Sequence, residues 1–198
     1  MTNTELYLYA KAKNGSGGGS SDAEQMLKGI IERNSVELVI PNGVTTIGSF
    51  VFYLYESLTS VTIPNSVTTI SECAFSCCTS LESVTIPNSV TTINNFVFEE
   101  CESLTNLTIP NSVTTIGECA FSRCTSLESV TIGNGFNADR LDLSCSTLYS
   151  VDTLVDILNA LADRTGLSAY NLRLGSTNLE KLSNEQIAVA TEKNWILW

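Results

Sequence analysis

Ile86-Pro87-Asn88-Ser89-Val90-Thr91-Thr92-Ile93 decides the fold, because nearly the same eight residues recur at Ile40–Ile47, Ile63–Ile70 and Ile109–Ile116. The leading isoleucine falls at 40, 63, 86, 109 and 132, so each step is 23 residues. A fixed period of this size marks a solenoid, in which each repeat buries its apolar face only by stacking on its neighbours. A full unit runs Leu81-Glu-Ser-Val84-Thr-Ile86-Pro-Asn88-Ser-Val90-Thr-Thr-Ile93-Asn-Asn-Phe96-Val-Phe98. Its Leu-x-x-Val-x-Ile part alternates, which predicts a strand with Val84 and Ile86 inward and Thr85 outward. Pro87 has no N–H to give a ladder and ends that strand, and Asn88 suits the turn that follows.

Stacking such units lines up like residues. Leu58, Leu81, Leu104 and Leu127 form one column, and Val44, Val67, Val90 and Val113 a second. Ile47, Ile70, Ile93 and Ile116 form a third, and Phe52, Phe75, Phe98 and Phe121 an aromatic spine. Burial of each contributes roughly 1.5–3 kcal/mol, so the columns carry the fold. Alternate units share more. Phe50-Val-Phe52 returns as Phe96-Val-Phe98, and Glu72-Cys-Ala-Phe75 as Glu118-Cys-Ala-Phe121. The effective unit is therefore a pair of repeats.

Outside the array the sequence reads differently. Thr4–Lys13 alternates loosely and suits a short strand, and Asn14–Ser21 is a Gly/Ser tether. Met1–Lys13 is thus expected to dock on a carrier assembly. Asp22 can cap a helix over Ala23 to about Arg33, with Met26, Leu27, Ile30 and Ile31 on one face, covering the open end of the stack. After Ile132 the repeat breaks at Gly133-Asn-Gly-Phe136. Ser150 can cap a helix over Val151–Arg164, ended by Gly166. Tyr170–Leu174 reads as a strand, and Ser183-Asn-Glu-Gln186 has the form of a capping box opening a helix to about Lys193. Trp195–Trp198 reads as a final strand.

Composition narrows the function. The net charge is −11, which opposes nucleic-acid phosphates and anionic membrane surfaces. No apolar run is long enough to span a bilayer, so membrane insertion is not expected. Met1–Gly15 lacks the apolar stretch of a conventional secretory signal, so none is expected. Histidine is absent, which removes the commonest general base and metal ligand. The seven cysteines are an odd number and do not read as a disulfide framework.

Cys78, Cys101 and Cys124 share a column with Tyr55. Buried small hydrophobes explain them better than a soft-metal ladder, which needs about four convergent ligands. Cys73 and Cys119 lie two coils apart, too far to be bridged. Asp139 and Asp142 lack a loop with enough oxygens for calcium. No cofactor and no catalytic residue is therefore expected.

The outward strand positions are the better site. Ser60, Thr62, Ser83, Thr85, Asn106, Thr108, Ser129 and Thr131 form repeated rows of hydrogen-bonding groups, flanked on alternate repeats by Glu82 and Glu128. Thr59 and Thr105 stand between those glutamates. The bland reading of a threonine row is a good exposed strand residue, and a regular row also has the look of an ice-binding face. Hydroxyls beside carboxylates suit a protein or a glycan on a host cell surface. As a hydrolase pair, Glu82 and Glu128 lack a pocket to shift either pKa. The most divergent place between repeats is Tyr53-Leu54, matched by Ser76-Cys77, Glu99-Glu100 and Ser122-Arg123. It is either an unconstrained outer turn or the place where specificity is written.

Residues 35–132 resemble the BspA-like leucine-rich repeat family, whose units have the form Leu-x-x-Val-x-Ile-Pro…Ile-Gly…Ala-Phe…Cys. Thr79–Phe98 and Thr125–Ile132 carry the resemblance most closely. It implies an α/β leucine-rich repeat solenoid of about five coils, with an N-terminal helical cap and a C-terminal αβ cap. It also implies a non-catalytic recognition or adhesion protein at a cell surface, with the outward strand face bent into a concave binding surface. The module Leu148–Trp198 resembles αβ segments closing such arrays in gut-bacterial and phage-associated proteins. The expected organisation is a docking segment at 1–13, a linker at 14–21, cap helix and solenoid at 22–147, and the αβ cap at 148–198. Without a secretory signal, a phage virion appendage is the first expectation, a surface adhesin exported by a non-classical route the second, and a solenoid hydrolase a distant third.

Overall fold

A computed structural model of the chain describes residues 36–198. The expected docking segment, tether and N-terminal cap helix lie outside the described residues. Five short strands give the first sheet: β1 (Glu37–Val39), β3 (Ser60–Thr62), β5 (Ser83–Thr85), β7 (Asn106–Ile109) and β9 (Ser129–Ile132). They pair in parallel in sequence order, and the register follows the repeat, with Ser83 opposite Asn106 and Thr85 opposite Thr108. Val84 and Ile86 are buried and Thr85 is exposed, as alternation requires. The fold is an α/β leucine-rich repeat solenoid.

A second parallel sheet runs alongside. Its strands are only two residues long: β2 (Thr46–Ile47), β4 (Thr69–Ile70), β6 (Thr92–Ile93) and β8 (Thr115–Ile116). The isoleucine of each points into the core, from 0 to 5% exposed. A third ladder joins the coils at their outer turns. The N–H groups of Phe50, Phe52 and Leu54 donate to the carbonyls of Glu72, Ala74 and Ser76, and the same pattern recurs one coil on. These turns take the left-handed conformation twice per coil, at Phe50, Cys73, Phe96 and Cys119 and at Leu54, Cys77, Glu100 and Arg123. The divergent outer position is thus held by inter-coil bonds on its backbone while its side chains vary.

The leucine and phenylalanine columns are buried throughout. In the valine column Val67, Val90 and Val113 are fully buried, while Val44 in the first coil is half-buried. Cys78, Cys101 and Cys124 are also fully buried, and each thiol donates to a carbonyl of the preceding coil, that of Phe52, Phe75 and Phe98 respectively. They are packing residues with satisfied S–H groups.

After β9 the chain continues as β10 (Arg140–Asp142), α1 (Val151–Ala160), β11 (Tyr170–Arg173), α2 (Ser176–Leu179), α3 (Asn184–Glu192) and β12 (Trp195–Leu197). β10, β11 and β12 form a three-stranded parallel sheet. Ser150 caps α1 by accepting from Thr153 N, and Ser183 with Gln186 completes a capping box on α3. The expected helix to Arg164 stops at Ala160. Leu161 turns extended and pairs with Phe136, while the Arg164 guanidinium stacks 3.7 Å from the Tyr170 ring. Strand Tyr170–Leu174 is one residue shorter than expected, as is the last strand, and α3 ends at Glu192. α2 has no counterpart in the sequence reading. One hydrophobic core runs from Leu38 through the solenoid into Leu154, Leu172 and Trp195.

Candidate functional site

The repeat geometry builds a groove. Thr62, Thr85, Thr108 and Thr131 stand in one row on the first sheet, each about 4.8 Å from the next by strand spacing. Where each strand ends, Pro87 and Pro110 turn the chain, and Asn65 and Asn88 stand at the turns. Ile63, Ile86 and Ile109 form the floor. The groove holds about 620 Å³ and none of its lining residues carries a charge. In the net balance of −11 this is a neutral strip on an acidic molecule.

Among the described residues no protein group bonds the side chains of Thr62, Thr85, Thr108 or Thr131. Threonines elsewhere in the repeat are engaged: Thr59 Oγ1 donates to Val36 O, Thr105 Oγ1 to Glu82 O, and Thr68 Oγ1 to Thr45 O. The difference lies in position. A hydroxyl beside the inter-coil ladder reaches a carbonyl, and one pointing out from the strand face does not.

The sequence-predicted residues therefore separate into groups. Thr62, Thr85, Thr108 and Thr131 line the groove. Ser60, Ser83, Asn106 and Ser129 form the next row on the same face by strand register. Glu82 and Glu128 are exposed and do not line the groove. Of the rim residues, Pro87 and Asn88 were read only as the end of a strand and its turn and Gly133 as the break in the repeat, although the period aligns Pro87 with Pro110 and Gly133, and Asn88 with Asn65. The first coil extends both rows differently, with Val39 opposite Thr62 and Glu37 opposite Ser60.

The chemistry of the remaining candidates is plain. Asp142 Oδ1 accepts from the backbone and hydroxyl of Ser144 and so serves the local turn, while Oδ2 lies 3.5 Å from the Arg173 guanidinium on the exposed side of the strand. Among the described residues no cluster of three or more cysteine or carboxylate side chains could hold a metal. Burial pushes the thiols of Cys101 and Cys124 well above their ordinary range, which makes them poor nucleophiles. Cys77 sits at the outer turn with its thiol donating to Glu100 Oε2, and Glu100 also pairs with Arg123. Among the described residues no helix is long and apolar enough to cross a membrane.

Comparison with known proteins agrees with this geometry. The family model for the BspA type leucine rich repeat region matches residues 32–141 in six copies, more than half of the chain. A leucine rich repeat protein of T. pallidum is similar at 26% identity and a TM-score of 0.52, over 72% of this chain and 60% of that one. The pneumococcal vaccine antigen PcpA shares the fold at 21% identity and a TM-score of 0.57, over 83% of this chain and 40% of that one. This chain thus spans less than two thirds of either. No curated protein matches the sequence. Proteins of this type are typically surface-associated, adhesive or binding proteins, and the family is in general non-catalytic. With the repeat filling residues 32–141 and the coils stacked in its register, the chain belongs to the BspA-type leucine-rich repeat family.

Proposed function

We propose that the protein is a non-catalytic recognition module that holds a neutral, repetitive partner, a glycan or a flat protein surface on a host cell, along the threonine groove. The observation that carries this reading is the row of four unengaged hydroxyls in an uncharged groove. A single hydrogen bond adds only about 0.5–1.5 kcal/mol, so binding comes from several rungs together. Glu82 and Glu128, exposed beside Ser83 and Ser129 in the neighbouring row, set a preference against acidic partners. A virion appendage displaying many copies would turn weak contacts into firm attachment. In that setting residues 1–13 dock to the carrier and the Gly/Ser run at 14–21 uncouples the body from it. The alternative setting is a bacterial surface adhesin.

The test is the double variant Thr85→Lys with Thr108→Lys, placed on the sheet face where folding tolerates it. Attachment to host cells should fall while the melting temperature holds. Unchanged attachment by the folded variant would move binding off this face. Removing residues 1–20 should leave the melting temperature in place and abolish assembly with the carrier. Capsid and tail genes beside this one would favour the virion, and secretion genes the adhesin.

A further inference from the structure

The sheet of the C-terminal cap presents a second face of different chemistry. Strand register sets Arg140, Asn171 and Ile196 in one row across β10, β11 and β12. Asp142 lies opposite Arg173. Trp198 N donates to Leu172 O while Leu174 N donates to Trp198 O, which places Trp198 opposite Arg173 and completes a second row. Alternation sends Leu141, Leu172 and Trp195 into the core, so all six residues of the two rows share the outer face.

Three properties of this face point to its ligand. First, it displays an aromatic platform, which the threonine groove lacks. Trp198 is 62% exposed, yet its Nε1–H donates to Asn171 Oδ1 at 3.2 Å, which fixes the indole in place. Second, the charges balance. Arg173 pairs with Asp142 at 3.5 Å and Arg140 with Glu118 at 3.6 Å, so each arginine of the face is matched by a carboxylate. Third, the array is small. Two strand spacings by two residues along a strand give roughly 10 by 7 Å, far below the ~800 Å² each partner buries in a stable protein interface.

We propose that this face is a binding site for a neutral saccharide. A pyranose ring has an apolar face of C–H groups that lies on the indole, and hydroxyls at its edge that need both donors and acceptors. The guanidinium of Arg173 and the carboxylate of Asp142 supply both to vicinal hydroxyls, and Asn171 holds the platform. An acidic sugar would have to displace Asp142 and Glu118 from the arginines, and a neutral one does not. The site stands apart from the threonine groove, and its existence does not depend on what that groove binds.

The two tryptophans make the test direct, because Trp195 is 2% exposed and collisional quenching by iodide reads Trp198 alone. The probes are the tetrasaccharides of glucose, galactose, mannose and N-acetylglucosamine, added to the full chain. At least one should shield Trp198 from iodide. Calorimetry with that sugar should show binding lost in Trp198→Ala and weakened about tenfold in Arg173→Ala, both folded as judged by melting temperature. The double variant Thr85→Lys with Thr108→Lys should bind it normally. Failure of every probe to shield Trp198 overturns the proposal. So does sugar binding that survives Trp198→Ala or is abolished by the threonine variant, since the sugar then sits in the groove. Shielding that grows with protein concentration in the absence of sugar would assign the face to a second copy of the chain and overturn it likewise.

Discussion

The rings of Phe75 and Phe98 stack 5.4 Å apart with their planes 3° from parallel. Phe52 extends the stack on one side at 5.1 Å and Phe121 on the other at 5.7 Å. Every ring but the terminal pair touches a counterpart above and below, so coupling between coils runs through this spine. Phe98→Ala removes a buried ring with two stacked neighbours and should cost about 3–5 kcal/mol. Phe52 has its stacked partner on one side among the described residues, and Phe52→Ala should cost less. Urea unfolding of the two variants checks both the size and the order.

Buried thiols make stability depend on alkaline pH. Burial raises the Cys101 and Cys124 thiols above their ordinary value of 9.0. In the unfolded chain these thiols ionise at the ordinary value, and in the folded protein they hold their protons to higher pH. The folded state thus binds protons more tightly, so the stabilisation is complete below pH 9.0 and is lost as pH rises above it. The urea midpoint should hold from neutrality to about pH 9 and fall above it. Replacing Cys101 and Cys124 by alanine should lower stability at neutrality and make that fall shallower. A slope unchanged by the replacement would assign it to other groups. None of the seven cysteines forms a disulfide, so each should titrate on unfolding without reductant, with the exposed Cys119 reacting before the buried three.

The repeat columns were legible because a period of 23 residues fixes which side chains meet, whatever the local conformation. The strand at Ser83–Thr85 follows from alternation, and the caps at Ser150 and Ser183 from side chains that satisfy helix N–H groups. The second sheet was not legible, since Thr92–Ile93 is too short to show a period of its own. Nor were the left-handed turns. Phe50, Leu54, Cys77 and Glu100 occupy positions where glycine or asparagine would have given the signal, and inter-coil bonds hold them there instead. At the candidate groove the threonines were visible as a row. That their hydroxyls are unengaged while those of Thr59 and Thr105 are bonded depends on distances to the neighbouring coil, which composition does not carry. The outer face of the cap sheet was invisible for a similar reason, because Asp142, Arg173 and Trp198 meet only once β10, β11 and β12 are paired.

Gly133 marks where the array changes hands. It stands where earlier coils place Pro41, Pro64, Pro87 and Pro110, and its N–H donates to Ile109 O at 2.8 Å. A Cβ there would lie 2.4 Å from the backbone nitrogen of Asn111. Backbone cannot yield as a flexible side chain does, so Gly133→Ala should destabilise the protein by about 1–3 kcal/mol. Gly135→Ala, with open space around its Cβ but a φ of +76°, should cost through backbone strain alone. Thermal melts of the two variants should show the first as the larger loss, and the reverse order would place the constraint in the turn and not in the contact.

The cap is fastened to the solenoid through Asn178, a buried polar residue with all its partners in place. Its Nδ2 donates to Ser146 O at 2.7 Å and to Leu174 O at 2.8 Å, while Lys181 Nζ donates to its Oδ1 at 3.1 Å. Ser146 in turn donates its hydroxyl to Leu127 O in the last leucine of the column. The path from Leu127 to α2 is therefore a continuous chain of bonds across the junction. Asn178→Leu keeps the volume but leaves two buried carbonyls without a donor, at about 1–3 kcal/mol. Because those carbonyls belong to the junction, amide exchange should quicken in residues 140–198 more than in the coils around Phe98. Equal acceleration throughout would show that solenoid and cap open as one unit, and that Asn178 contributes to global stability without controlling the junction.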